Sequence, residues 1–179
     1  MSKDRVQRKD IVMIGDSLTE FFDWQGRFPR QRVLNLGIAG EPVEGLLRRV
    51  SCMHDAIARA DLILVMSGIN NIAMGDYDII PKYEKILNTI ISDSTGAGVI
   101  IESVLPVRLS WLDNVEIEKI NSGLQKIAQR KKIRYFDLYS LFVDARGKPI
   151  PEYLSEDGVH LSERGYEVWS AAIENEFSL

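Results

Sequence analysis

Short apolar segments alternate along the chain with longer segments in which apolar residues recur every three or four positions. The predicted strands are residues 10–14, 33–36, 61–66, 98–104 and 133–137, which are mostly continuous in apolar residues and rich in Ile and Val. Such runs are typical of strands buried on both faces of a sheet. Strands that alternate with helices predict an α/β fold, here a three-layer αβα sandwich around a parallel sheet. Right-handed crossovers favour a five-stranded, flavodoxin-like strand order.

The segments between these strands have helical spacing. Their apolar stripes run from Val43 to Ile57, from Ile79 to Ile91 and from Ile117 to Ile127, and a last helix is predicted from Glu163 to about Glu176. The 179 residues contain no visible repeat, low-complexity tract or linker. We therefore expect a single domain over residues 1–179, which is long enough to bury one sheet and its helical cover.

Charge, apolar-run length and cysteine content exclude several classes of protein. The formal net charge of −4 argues against a general nucleic-acid binder, which would carry a basic face. Every apolar run ends well short of the roughly 18 residues that span a bilayer, so we expect no stable membrane insertion. The first ten residues, MSKDRVQRKD, lack the apolar core of a secretory signal, and a single cysteine cannot form an intramolecular disulfide. These features favour a cytoplasmic protein.

Polar turns that contain glycine follow the first three predicted strands. The first strand ends in Gly15-Asp16-Ser17, the second runs into NLGIAG (35–40), and the third runs into SGINN (67–71). The segment EDGVHLSERGYEVW (156–169) leads into the last helix. Ligands of parallel sheets bind beyond the carboxyl ends of the strands. We therefore expect these segments to meet at one edge of the sheet.

Ser17 is either a turn residue or a nucleophile, and a serine nucleophile needs a base and a group that orients the base. The chain has two histidines. His54 lies in a helical stretch with Cys52, where we expect Cys52 to pack and His54 to lie at or near the surface. His160 follows Asp157 by three residues, so a short turn can fold the carboxylate onto one imidazole nitrogen. Ser162 fits the N-cap of the last helix, which leaves Asp157 and His160 outside that helix.

Acyl transfer also requires donors for a developing oxyanion. Gly37 has no side chain, so its backbone N–H could approach a substrate oxygen, and Asn70 could offer its side-chain amide. Taken singly, these residues are equally typical of a turn glycine and an Asx turn. Their occurrence after successive strands favours a shared site.

Four motifs, GDSL (15–18), NLGIAG (35–40), GINN (68–71) and DGVH (157–160), occur in this order. With them, the sequence resembles the GDSL/SGNH hydrolase family of esterases and lipases from about residue 10 to about residue 175. The resemblance implies that Ser17 is the nucleophile and that Asp157 and His160 complete a triad. It also implies oxyanion donors at Ser17, Gly37 and Asn70. The chain has Asn71 where the family usually has Asp, and we expect this position to support the loop.

The resemblance implies a serine esterase that cleaves short acyl esters through an acyl-serine intermediate, with a small-molecule ester as its partner and no cofactor or metal. Asp16 and Trp111 are candidates for the substrate pocket, and the stretch 21–28 with Trp24 is either a second pocket wall or core. A lysophospholipase- or thioesterase-type hydrolase, a non-catalytic binding module and a homodimer stay open. A flavodoxin-like nucleotide binder is disfavoured because the chain lacks a glycine-rich phosphate motif.

Overall fold

The computed structural model describes residues 8–179. The first seven residues of the predicted domain lie outside the described residues, and they include most of the segment MSKDRVQRKD, for which no secretory signal is predicted. The strands are β1 (Asp10–Gly15), β2 (Arg32–Gly37), β3 (Leu62–Met66), β4 (Gly98–Glu102) and β5 (Arg134–Phe136). All neighbouring pairs are parallel, and the order is β2-β1-β3-β4-β5. This order confirms the predicted flavodoxin-like sheet.

Helices cover both sides of the sheet. They are α1 (Ser17–Glu20), α2 (Trp24–Arg27), α3 (Val43–Arg49), α4 (His54–Arg59), α5 (Ile69–Ala73), α6 (Ile80–Asp93), α7 (Asn114–Lys131) and α8 (Glu163–Phe177). The long helices α6, α7 and α8 lie where the apolar periodicity predicts them. Strands β1 and β3 are almost entirely buried, whereas β2 is partly exposed because it is an edge strand. Within residues 8–179, no helix is both long and apolar enough to cross a membrane.

The apolar stripe from Val43 to Ile57 is not one helix. Helix α3 ends at Arg49, a 3₁₀ turn follows over Val50–Met53, and α4 begins at His54. A 3₁₀ turn repeats every three residues, so Val50 and Met53 are both buried while Cys52 between them is exposed. The prediction that Cys52 packs within a helix is therefore wrong. The side chain of His54 is mostly exposed, as predicted.

A buried aromatic cluster lies beneath the turn that carries Ser17. The Trp24 and Trp169 rings meet edge to face at 4.8 Å, and Trp24 Nε1 donates to the Thr19 carbonyl at 2.8 Å. The Tyr166 hydroxyl donates to the Leu18 carbonyl at 2.9 Å. Trp24 therefore belongs to the core and not to a pocket wall. Because α1 is only one turn long, these two hydrogen bonds from α2 and α8 fix its position.

Glu102, the last residue of β4, is a fully buried acid. Trp169 Nε1 donates to Glu102 Oε1 at 2.8 Å. Burial raises the pKa of Glu102 to about 8, and the hydrogen bond from Trp169 lowers it only in part. The folded protein therefore holds this carboxyl protonated at neutral pH.

Protonation of Glu102 predicts a pH-dependent stability. Between the ordinary pKa of 4.5 and about 8, the folded state keeps a proton that the unfolded chain has lost, so stability falls as pH rises. In Glu102→Gln this loss is removed. The unfolding free energy of the variant relative to wild type should rise by at most about 1.4 kcal/mol per pH unit over this interval, measured by chemical denaturation. A difference that is constant with pH would contradict a protonated Glu102.

Candidate active site

Ser17 lies at the carboxyl end of β1, at the start of α1. Asp16 caps this helix, because its Oδ1 accepts the Leu18 N–H at 3.1 Å. Gly15 brings the turn against β3: a Cβ at this position would lie 2.5 Å from the Met66 carbonyl oxygen. The close approach of two buried strands thus requires glycine immediately before Asp16.

The turn from Asp157 to His160 brings the second half of the site to the same edge. Asp157 Oδ1 accepts the backbone N–H groups of Val159 and His160, both at 2.9 Å. Asp157 Oδ2 lies 2.6 Å from His160 Nδ1, and His160 Nε2 lies 2.9 Å from Ser17 Oγ. The structure therefore brings Ser17, His160 and Asp157 together in one hydrogen-bonded series. Ser162 caps α8 as predicted.

The electrostatics of this series keep the Asp157 carboxyl ionised. Burial by itself would raise the pKa of Asp157, but the His160 ring and the backbone N–H groups of Val159 and His160 hold it below its ordinary value. Asp157 is therefore ionised at neutral pH, and its Oδ2 lies within hydrogen-bond distance of His160 Nδ1.

Asp16 is not part of a substrate pocket, which corrects the prediction made for it. Its side chain is only 1% exposed, and its Oδ2 has no hydrogen-bond partner within residues 8–179. Burial raises the pKa of Asp16 to about 7, against the lowering effects of the Leu18 N–H and of His160. Its carboxyl group orients α1 from below the surface and cannot contact a substrate.

Gly37 does not have a free N–H, which contradicts its prediction as an oxyanion donor. The Gly37 N–H donates to Asn35 Oδ1 at 3.0 Å. A Cβ at Gly37 would lie 2.5 Å from Glu20 N and 2.9 Å from the Asp16 carbonyl oxygen. The physical role of this glycine is therefore to let the end of β2 pack against α1.

Gly40 is a further candidate donor that the sequence analysis did not single out. Residues 38–41 form a turn in which the Glu41 N–H donates to the Ile38 carbonyl at 3.2 Å, and Gly40 has a φ of 72°. A turn with positive φ at its third residue favours glycine. Within the described residues, the N–H groups of Gly40 and Ser17 donate to no protein acceptor. The second glycine of NLGIAG, read as a turn glycine, could have pointed to this position.

Asn70 lies beside the same turn. Its Nδ2 donates to the Glu41 carbonyl at 3.0 Å. An amide nitrogen carries two hydrogens, so one remains for another acceptor. The Glu41 carbonyl thus fixes the orientation of the Asn70 amide next to Gly40.

Asn71 supports the loop, as expected from its departure from the family pattern. The side chain is buried, and its Oδ1 accepts the Val43 N–H at 2.8 Å. Its Nδ2 donates to Glu44 Oε2 at 2.9 Å and to Asp76 Oδ2 at 3.0 Å. Lys82 forms ion pairs with both carboxylates. An aspartate at position 71 could not donate to them.

Asn71→Asp should lower the melting temperature at neutral pH, because it places a third carboxylate against Glu44 and Asp76. In a chain of this size each kcal/mol lost corresponds to about 2–4 °C, measured by calorimetry. The pKa values of Glu44 and Asp76 are held low by Lys82 and Asn71, so the deficit should shrink only in acid. Asn88→Asp, beside Lys131 on the surface, is the matched control. A variant as stable as wild type would contradict this role.

Trp111 lies in the loop between β4 and α7. Its side chain is 71% exposed, and its Nε1 donates to the Ala73 carbonyl at 3.4 Å. The Arg108 N–H, in the same loop, donates to the Gly158 carbonyl at 2.7 Å and so joins this loop to the turn that bears His160. Contact between Trp111 and a substrate stays a prediction.

The fold and the site together define a class of protein. The chain has a three-layer α/β fold, and a serine, a histidine and an aspartate form a hydrogen-bonded series at the carboxyl edge of its parallel sheet. The GDSL-like Lipase/Acylhydrolase family matches residues 13–168, and the chain belongs to this family. Membership confirms the resemblance and supports a hydrolytic enzyme that acts on esters. Within residues 8–179, no three His, Cys, Asp or Glu side chains are grouped so that they could hold a metal ion.

Several solved structures share the fold. A protein from Streptococcus pneumonia, named for platelet activating factor, is 24% identical with a TM-score of 0.84, covering 97% of this chain and 86% of that chain. The lipase/acylhydrolase from Enterococcus faecalis is 22% identical with a TM-score of 0.77, covering 95% of each chain. A GDSL-like lipase from Bacteroides thetaiotaomicron is 24% identical with a TM-score of 0.72, covering 96% and 89%. No curated protein sequence matches the chain.

Proposed function

We propose that this protein is a serine esterase that hydrolyses short acyl esters through an acyl-serine intermediate. One observation carries the proposal: His160 contacts Ser17 Oγ at 2.9 Å through one ring nitrogen and Asp157 Oδ2 at 2.6 Å through the other. A general base held in this way can accept the proton of a serine hydroxyl and return it to a leaving group.

In the first half-reaction, Ser17 Oγ attacks the ester carbonyl carbon while its proton moves to His160 Nε2. The new C–O bond forms as the carbonyl oxygen takes the negative charge, and Asp157 stabilises the imidazolium. The intermediate then collapses, the bond to the alcohol breaks, and the alcohol leaves with the proton from His160 Nε2. Water repeats the same steps on the acyl-serine and releases the acid.

Three donors are proposed for the oxyanion: the backbone N–H groups of Ser17 and Gly40 and the free hydrogen of Asn70 Nδ2. Within residues 8–179 these groups donate to no protein acceptor, apart from the bond that Asn70 makes to Glu41, and this supports the role. Loss of one such donor typically lowers kcat by about 10²–10³-fold. Gly37 is not proposed, because its N–H is engaged by Asn35.

Ser17→Ala should lower kcat for p-nitrophenyl acetate by about 10⁴-fold or more, because the attacking oxygen is removed. Release of p-nitrophenolate measures the rate, and circular dichroism checks that the variant is folded. Ser51→Ala, at an exposed serine, is the matched control and should keep wild-type activity. Near-full turnover by Ser17→Ala would overturn the proposal.

Exposed apolar side chains near the strand ends favour a lysophospholipase-type hydrolase as the second candidate. Phe21, Ile38, Met74 and Trp111 follow β1, β2, β3 and β4 in turn, and all four are large and exposed. The centroid of the Phe21 ring lies 5.4 Å from that of His160. In a lysophospholipid the apolar part is the acyl chain, and we propose that the exposed Phe21 ring beside His160 contacts this chain.

A panel of p-nitrophenyl esters and a lysophospholipid separates the two candidates. For a short-chain esterase, kcat/KM should be highest for the acetate, and Phe21→Ala should change it by less than about threefold. If an apolar chain is bound, each methylene buried should raise kcat/KM by about fourfold, and Phe21→Ala should reduce this gain. Leu34→Ala, at an exposed apolar residue within β2, is the control. An acetate rate below that of the octanoate would contradict the short-chain assignment.

A further inference from the structure

Arg49 and Glu41 form a two-point ion pair behind the proposed oxyanion donors. Arg49 Nε donates to Glu41 Oε1 at 2.7 Å, and Arg49 Nη2 donates to Glu41 Oε2 at 2.6 Å. Both side chains are largely buried, with exposed fractions of 21% and 10%. A planar guanidinium that holds a carboxylate at two points fixes both position and orientation.

The same guanidinium is anchored to the ends of two strands. Arg49 Nη2 donates to the Leu36 carbonyl of β2 at 2.9 Å, and it lies 3.4 Å from the Gly15 carbonyl of β1. Arg49, at the end of α3, therefore ties the Glu41 side chain to the rigid edge of the sheet from which Ser17 emerges.

The backbone of Glu41 carries the contacts that matter for the oxyanion. Its N–H closes the turn that contains Gly40, and its carbonyl accepts the Asn70 amide at 3.0 Å. One residue thus joins two of the three proposed donors. Exposed turns are otherwise free to move. The ion pair between the Glu41 side chain and Arg49 therefore holds the Glu41 backbone in place.

Gly45 provides room for this ion pair. A Cβ at Gly45, in the middle of α3, would lie 2.6 Å from Glu41 Cγ. Glycine inside a helix is unfavourable relative to alanine. Its presence here is explained by the Glu41 side chain packed against the helix.

We propose that the Arg49–Glu41 ion pair is a positioning device that sets the Gly40 N–H and the Asn70 amide for the oxyanion. Neither residue touches the reacting atoms; they act through the turn at residues 38–41. The inference rests on the proposed esterase function. It predicts a loss in kcat with little change in KM, because an oxyanion interaction strengthens in the transition state.

The first test is Arg49→Met, with p-nitrophenyl acetate as substrate. We expect kcat to fall by about 10- to 100-fold while KM changes by less than about threefold, since the donors are displaced and not removed. Arg32→Met is the matched control. Arg32 forms a two-point ion pair with Asp10 where β1 and β2 begin, at the edge of the sheet away from Ser17. Loss of this ion pair should leave kcat within about twofold of wild type.

Gly45→Ala keeps both charges and displaces Glu41 by a methyl group. Alanine improves helix propensity, so a general loss of fold is not expected from this change, and the variant also serves if Arg49→Met does not fold. We expect kcat to fall by at least about fivefold with KM unchanged, because displaced Glu41 shifts both donors.

A double-mutant cycle with Asn70→Ala identifies the route of action. If the ion pair acts through the oxyanion donors, Arg49→Met should cost at most about a third as much, as a ratio of kcat values, when Asn70 is already absent. Equal losses in both backgrounds would mean that the pair serves only the fold, which would overturn the inference.

Wild type and Ser17→Ala are measured alongside these variants. If hydrolysis does not depend on Ser17, the proposed function fails and the inference fails with it. If hydrolysis depends on Ser17 but kcat is unchanged in both Arg49→Met and Gly45→Ala, the inference alone is overturned.

Discussion

The hydrogen bond between Ser17 Oγ and His160 Nε2 joins two turns that are 143 residues apart in the chain. Helix α8 positions both partners of this hydrogen bond. Ser162 caps α8 immediately after the His160 turn, and Tyr166, one turn into the same helix, donates to the Leu18 carbonyl next to Ser17. The two partners are therefore fixed relative to one helix, which keeps the nitrogen within reach of the oxygen without a substrate to hold them together.

Two buried carboxyl groups in the part of the core that supports the site lower the folding stability of the protein at neutral pH. Asp16 and Glu102 are both buried acids whose pKa values are raised by burial, to about 7 and about 8. Holding such groups in a low-dielectric interior costs folding free energy once the unfolded chain can ionise them. The aromatic cluster around Trp24 and Trp169 packs beneath α1 and offsets part of that cost. Proteins commonly accept lower stability where a site requires polar groups.

Much of the fold and part of the site could be predicted from the sequence, because both follow from local patterns. Apolar runs fix the strands, and the three-residue spacing from Asp157 to His160 fixes their contact. The assignment of Gly37 failed because a motif does not reveal that the Asn35 side chain occupies its N–H. The burial of Asp16 depends on packing around the turn, and the Arg49–Glu41 ion pair depends on a helix, a turn and two strand ends that only the folded chain brings together.

The central claim is that Ser17 is the nucleophile and that His160 activates it. Labelling with a fluorophosphonate, followed by peptide mass spectrometry, measures this directly, because the reagent traps a serine activated by a base and does not depend on which ester is the substrate. The account predicts one adduct, on Ser17, formed at least about 100-fold more slowly in His160→Gln. An adduct on another residue, or a labelling rate unchanged in His160→Gln, would contradict it.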